Sequence, residues 1–147
     1  MPCELCDSEG GALLWRSELL RVVRVDDADY PSFCRVICNA HVKEMTDLEE
    51  AQRQYFMQVV FAVEQVLRNL LNPAKINLAS LGNQTPHLHW HVIPRFTSDR
   101  HFPQPVWAAP MRQRQERPEL RVSDEVLQRA LVRSLSDLKE IGFATIL

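Results

Sequence analysis

Hydrophobic residues run along this chain in two rhythms. Between Glu18 and Val25 they crowd into Leu19, Leu20, Val22, Val23 and Val25, closed by Asp26-Asp27-Ala28-Asp29-Tyr30-Pro31. That pattern predicts a strand followed by a polar turn. Phe33 to Cys38 predicts a second strand, antiparallel to the first across the short loop. The period then lengthens: Phe56, Val59, Val60, Val63, Val66, Leu67 and Leu70 recur every three or four positions, as one helix face does. Thr46, three residues ahead of Glu49, predicts a capping box at the helix start. Asn72-Pro73 predicts its end, because proline disfavours helical geometry in the residue before it. Lys75 to Leu81 and Leu88 to Phe96 predict two further strands, with Gly82-Asn83 breaking the chain between them. Ser123 caps a last predicted helix whose apolar face carries Val126, Leu127, Ala130, Leu131, Leu135 and Leu138. From Phe102 to Pro118, prolines and the arginines Arg112, Arg114 and Arg117 predict an irregular, solvated linker.

These elements add up to an α+β fold: an antiparallel sheet of about five strands, one long helix packed on it, and a C-terminal helix. The 147 residues make one domain, with 1–110 as its body and 111–147 as a linker and helix of the same unit. A hydrophobic share of 46% with 24% charged residues excludes a disordered chain. Lys and Arg total 17 against 19 Asp and Glu, a balance that argues against gripping long nucleic acid. No apolar run reaches the roughly 18 residues of a membrane span, and the N-terminus carries no signal pattern. The expected setting is the cytoplasm, where Cys3, Cys6, Cys34 and Cys38 stay reduced or bind metal. Cys34 and Cys38 lie four residues apart in one strand, roughly 13 Å, which suits buried thiols rather than a shared ion. Cys3-Glu4-Leu5-Cys6 can chelate one zinc from a turn but needs two more ligands.

The chemistry concentrates in His87-Leu88-His89-Trp90-His91-Val92-Ile93. In a strand, alternate side chains share a face, so three imidazoles line up while Leu88, Trp90 and Val92 anchor the opposite face in the core. Aligned imidazoles suit nucleophilic attack on phosphorus with a neighbouring proton donor, or metal ligation. The imidazole pKa near 6.5 leaves most of each ring neutral and nucleophilic at pH 7.

This run resembles the signature of the histidine triad superfamily, with Pro94-Arg95 continuing as in its dinucleoside polyphosphate hydrolases. The resemblance covers roughly residues 3–107. It implies a homodimeric nucleotide hydrolase or transferase that cleaves a phosphoanhydride or phosphoramidate bond at the α-phosphate. On this chain it makes His89 the nucleophile, His91 the partner of the bridging or leaving oxygen, and His87 the residue orienting the array. It places phosphate contacts on Gly82, Asn83 and Gln84, although the turn is shorter than the family's commoner pattern, with Asn83 in the glutamine position. It places a ribose contact on Asp27, among three clustered aspartates, and a base-stacking ring on Trp107. It completes a structural zinc site from Cys3, Cys6, His41 and His87. Whether a divalent cation such as magnesium accompanies the nucleotide stays open. Two alternatives also stand: a zinc-dependent hydrolase with the histidines as ligands, and a nucleotide-binding or sensing module with little activity.

Overall fold

In the computed structural model, which describes residues 2–143, five strands form one antiparallel sheet. The strands are β1 (Ala12–Arg16), β2 (Leu20–Arg24), β3 (Cys34–Cys38), β4 (Lys75–Ala79) and β5 (His89–Arg95), in the spatial order β1-β2-β3-β5-β4. Three helices complete the fold: a single turn α1 (Glu4–Asp7), the long α2 (Glu50–Leu71) and α3 (Asp124–Leu135). The expected α+β class and the antiparallel β2–β3 pair are both present. Of the segment expected at 111–147, residues 144–147 lie outside the described residues.

One face of the sheet holds the main core. Leu14, Leu20, Val22, Val36 and Val92 meet Phe56, Val59, Val60, Val63 and Leu67 of α2 and Leu127, Leu131 and Leu135 of α3. The other face is covered only in part. Leu5 of α1 packs on Val23 and Ile37 at one end, and Tyr30, Phe33 and Ile93 cluster at the other. Between these two clusters the face is left to polar side chains, and there the site is built.

Local sequence explains most boundaries, with four departures from expectation. Simple alternation does not mark β1, because a bulge between Leu13 and Trp15 breaks its period of two and leaves Leu14 facing the core. The helix does not start at Thr46: Met45–Asp47 forms a separate 3-10 turn, and α2 begins at Glu50, where the Glu49 N–H donates to Gln52 Oε1 at 2.9 Å. Its end is as expected, with Asn72 left-handed at φ 46° ahead of Pro73. The fourth strand stops at Ala79 and the fifth starts at His89, both shorter than the apolar runs suggest.

The segment after β5 is irregular and mostly exposed, as expected, but it is tied down by ion pairs that the sequence pattern did not anticipate. Asp29, mostly buried, pairs with Arg100 at 3.2 Å and Arg114 at 2.8 Å. Asp99, 1% exposed, pairs with Arg95 and Arg117, each at 2.9 Å. Arg112 donates to the carbonyls of Asp99 and Phe102. The segment keeps the wet surface that alternating charge suggests, while Arg100, Arg114 and Arg117 pair with Asp29 and Asp99 and strap it to the sheet.

Candidate functional site

In β5, His89, His91 and Ile93 face away from α2, while Val92 enters the core and Trp90 packs against it. Across the ladder, His91 lies opposite Arg35 of β3, and His89 lies opposite Ile37. The rings of His89 and His91 stand perpendicular with centroids 4.9 Å apart. Phe33 meets His91 edge-on at 5.4 Å, and Trp107, delivered by the strap, meets it at 4.9 Å. Burial, then His89 and Arg35, push the His91 pKa down to about 3. Burial also lowers His89, with Arg35 adding to the effect, so both imidazoles are neutral at pH 7.

His87 departs from the expected row of three. It lies before the strand proper, with its N–H bonded to the Thr85 carbonyl at 2.8 Å, and its fully buried ring joins a different group. Its Nδ1 is 3.4 Å from the Sγ of both Cys3 and Cys6, and Cys6 Sγ is 3.3 Å from His41 Nδ1. The four ligand atoms lie within 4.8 Å of one another. His87 Nε2 is 2.6 Å from the Cys38 carbonyl, to which only an N–H can donate. That bond leaves Nδ1 with its lone pair aimed at the sulfurs, the second-shell arrangement a ligating histidine requires. Burial lowers the His87 pKa, and nearby His41 adds to this, so the ring stays neutral as a ligand must. Two thiols and two imidazoles form a closed donor set of the kind that holds a tetrahedral ion. These residues could therefore hold a metal; among the described residues the metal-capable cluster does not include His89 or His91.

The N-terminal residues reach this position because α1 is held by more than the cluster. Arg21, 4% exposed on β2, donates to the carbonyls of Leu5 at 2.6 Å, Ser8 at 3.2 Å and Glu9 at 3.0 Å. Cys3 and Cys6 are thus carried on a turn already bonded to the sheet.

His87 connects the two groups through its backbone. Its carbonyl lies 2.5 Å from His89 Nδ1, which donates its proton there. His89 Nε2 is then the nitrogen with the free lone pair. His89 and His91 line a cavity of about 260 Å³ with Gly82, Gln84 and Trp107, three of the residues expected to bind nucleotide. Gly82 adopts φ +78°, a left-handed conformation that lets the backbone turn tightly beside the histidines. Two expected contacts lie elsewhere. Asn83 is exposed outside the cavity lining, and Asp27 is also absent from it, its Oδ1 accepting the Asp29 N–H at 2.9 Å in a local turn.

Sequence reasoning missed Arg35 and Thr85, which line the same cavity. A signal for Arg35 was available: one charged residue interrupts the apolar strand Phe33 to Cys38 and shares a face with Phe33 and Ile37.

With the geometry in view, the model of one protein family, the HIT domain, matches residues 10–98. The chain belongs to the HIT family. Among solved structures, a histidine triad protein from Bradyrhizobium japonicum is 28% identical, covering 86% of this chain and 91% of its own, with a TM-score of 0.68. One from Marinobacter aquaeolei is 24% identical over 89% and 93% of the two chains, with a TM-score of 0.68. A HIT family protein from Bacillus subtilis shares the fold at 17% identity and a TM-score of 0.61, covering 96% of this chain and all of its own. No curated protein matches the sequence significantly. The HIT match contains Arg35 and all three triad histidines but begins after Cys3 and Cys6 and ends before Trp107. In this HIT protein, then, one side of each cluster is supplied from outside the matched domain.

Proposed function

We propose that this HIT protein is a nucleotide hydrolase or transferase that works through a nucleotidyl-His89 intermediate. The observation that carries the reading is the 2.5 Å bond from His89 Nδ1 to the His87 carbonyl, which fixes the tautomer and leaves a free lone pair on Nε2 of a ring that lines the cavity. Nε2 attacks the α-phosphorus of a (di)nucleoside phosphate; the P–N bond forms as the bond to the bridging atom breaks, whose electron pair departs with the leaving group. His91 hydrogen-bonds that leaving atom. The positive charge left on the His89 ring is shared with its Nδ1–H, which the carbonyl stabilises. Water then attacks phosphorus, the P–N pair returns to Nε2, and the water proton leaves to solvent with the nucleoside monophosphate.

Gly82, Gln84 and Thr85 form the wall from which backbone and polar side chains contact the phosphate, and Trp107 offers a ring for the base. Zinc, the ion that suits Cys3, Cys6, His41 and His87, would close a structural site and tie α1 to the start of β5. The family relationship and the Pro94-Arg95 continuation favour a dinucleoside polyphosphate or phosphoramidate substrate, a homodimer, and a cytoplasmic setting that keeps the thiols reduced.

The test is rapid-quench intact mass after mixing with diadenosine polyphosphates and adenosine phosphoramidates. The expected result is an increase of one nucleoside monophosphoryl group on the wild type, absent in His89→Ala, which stays folded and loses turnover. Turnover by His89→Ala at the wild-type rate overturns the covalent route. Loss of turnover on chelation with no adduct would instead favour a zinc hydrolase, and thermal protection by nucleotide without product release would favour a sensing module.

A further inference from the structure

Among the described residues, Arg35 carries a charge with no counterion in ion-pair contact. Its Cα is paired with that of His91 in the ladder between β3 and β5, and its side chain lines the cavity that holds His89 and His91. Its Nε is buried and has no hydrogen-bond partner. Its guanidinium carbon lies over the Phe33 ring, 5.9 Å from the centroid. Glu4 and Asp27 act on it at longer range, but among the described residues no carboxylate comes within ion-pair distance. Arg53 and Arg100 also leave a buried Nε unpartnered, but neither lines this cavity, and the two most buried arginines among the described residues are compensated. Arg95 has Asp99, Asn77 and a carbonyl, and Arg21 has three carbonyls and Asn39. An unpaired, partly buried guanidinium costs stability, and at Arg35 that cost falls on the wall of the histidine cavity, where an anionic ligand would offset it.

We propose that Arg35 holds the anionic leaving group of the nucleotide, so that the site selects phosphoanhydrides over phosphoramidates. The inference rests on the nucleotidyl-His89 reading and narrows it. When His89 Nε2 displaces a phosphate or nucleoside polyphosphate, the electron pair of the broken P–O bond stays on the departing oxygen, and one unit of negative charge accumulates there. A guanidinium remains cationic at any working pH, and its planar fork matches two phosphate oxygens. Its place directly across the ladder from His91 puts that fork beside the residue assigned to the leaving atom. An amine leaving group makes the opposite demand: its nitrogen must gain a proton as the P–N bond breaks, and a nearby fixed cation opposes the positive charge that develops. His91, kept neutral by its surroundings, is also a poor source of that proton.

The experiment compares wild type, Arg35→Gln and Arg35→Lys on diadenosine tetraphosphate and on adenosine 5′-phosphoramidate, reading kcat/KM and adduct formation on His89 by intact mass. The expected result is that Arg35→Gln loses about a hundredfold on the anhydride, as for removal of one transition-state anion contact. Its loss on the phosphoramidate should be smaller by about tenfold or more, with Arg35→Lys recovering part of the anhydride rate. Thermal unfolding of Arg35→Gln should be no lower than wild type, since the unpaired charge is gone. Equal losses on both substrates, or a wild type that prefers the phosphoramidate, overturn the assignment of Arg35 and leave His89 chemistry intact. Failure of both substrates to label His89 overturns the covalent reading and this inference together. If Arg35→Gln does not fold, the Arg35→Lys ratio between substrates decides the question.

Discussion

His87 divides its work between ring and backbone, and the two parts face different chemistry. Its ring belongs to the Cys3, Cys6 and His41 cluster, and its carbonyl sets the proton position on His89. The cluster is expected to bind one zinc per chain, measured by metal analysis of the purified protein. Cys6→Ser should lose the ion and about 3 kcal/mol of stability at zinc concentrations a hundredfold above the dissociation constant. No zinc in the wild type, or an unchanged melting point in the variant, would refute this. At His91 the buried ring refuses a proton until about pH 3, whereas the unfolded chain accepts one near 6.5. Between those values the unfolded state binds the extra proton, so stability falls as pH falls, by up to about 1.4 kcal/mol per pH unit from this residue. Urea unfolding at pH 7 and pH 5 should show that slope reduced in His91→Gln. An unchanged slope would mean that the ring titrates normally.

At the scale of single elements, α3 and β1 show what a sequence reveals and what it conceals. The Ser123 cap was legible because its chemistry is local: the hydroxyl accepts the Val126 N–H at 3.3 Å, and the apolar spacing follows. Ser123→Ala should cost about 1 kcal/mol, and Leu131→Ala, whose side chain is buried between α3 and the core, about 2–5 kcal/mol in chemical denaturation. If the cap variant costs as much as the core variant, helix formation rather than packing holds α3 in place. The same local logic failed at Ala12–Arg16, where the bulge hides the alternation, and at Thr46, where two consecutive turns compete for one helix start. His89 and His91 were legible because β5 carries them and its core side chains on opposite faces of one short run, whereas His87, just ahead of the strand, was expected in the same row and instead joins the cysteines. Arg35 stood out only as a charge interrupting an apolar strand, because its meaning depends on the partner strand and on the carboxylates that stay away from it. Asp27 and Asn83 were placed by resemblance, and their position is decided by loop geometry that no periodicity encodes.

Across the whole molecule, the strap from residue 96 to 121 joins the site to the far side of the fold. Asp99 anchors it from a buried position between Arg95 and Arg117, and the Leu120 carbonyl accepts from Ser32 Oγ at 3.1 Å. Arg24 and Asp124, 2.5 Å apart, then fasten the start of α3 to β2. Removing the central carboxylate leaves Arg95 buried without its charge partner. Asp99→Ala should therefore cost about 3–5 kcal/mol and free the strap, seen as faster proteolytic cleavage within 104–116. Because Trp107 rides on this segment against His91, the same variant should raise KM for nucleotide more than it lowers kcat. A variant with wild-type proteolysis and KM would show that the strap is held by other contacts.

The two-sided character of β5 also sets which changes of length the protein can survive. Sliding that strand by a single position would drive His89 and His91 into the oily layer under α2 and turn Trp90 and Val92 out toward the cavity. Residues gained or lost in the turn at 80–86 reshape the pocket mouth, but one gained or lost within 87–93 removes reactivity and folding together. Hydrophobicity thus proofreads the spacing of the imidazoles.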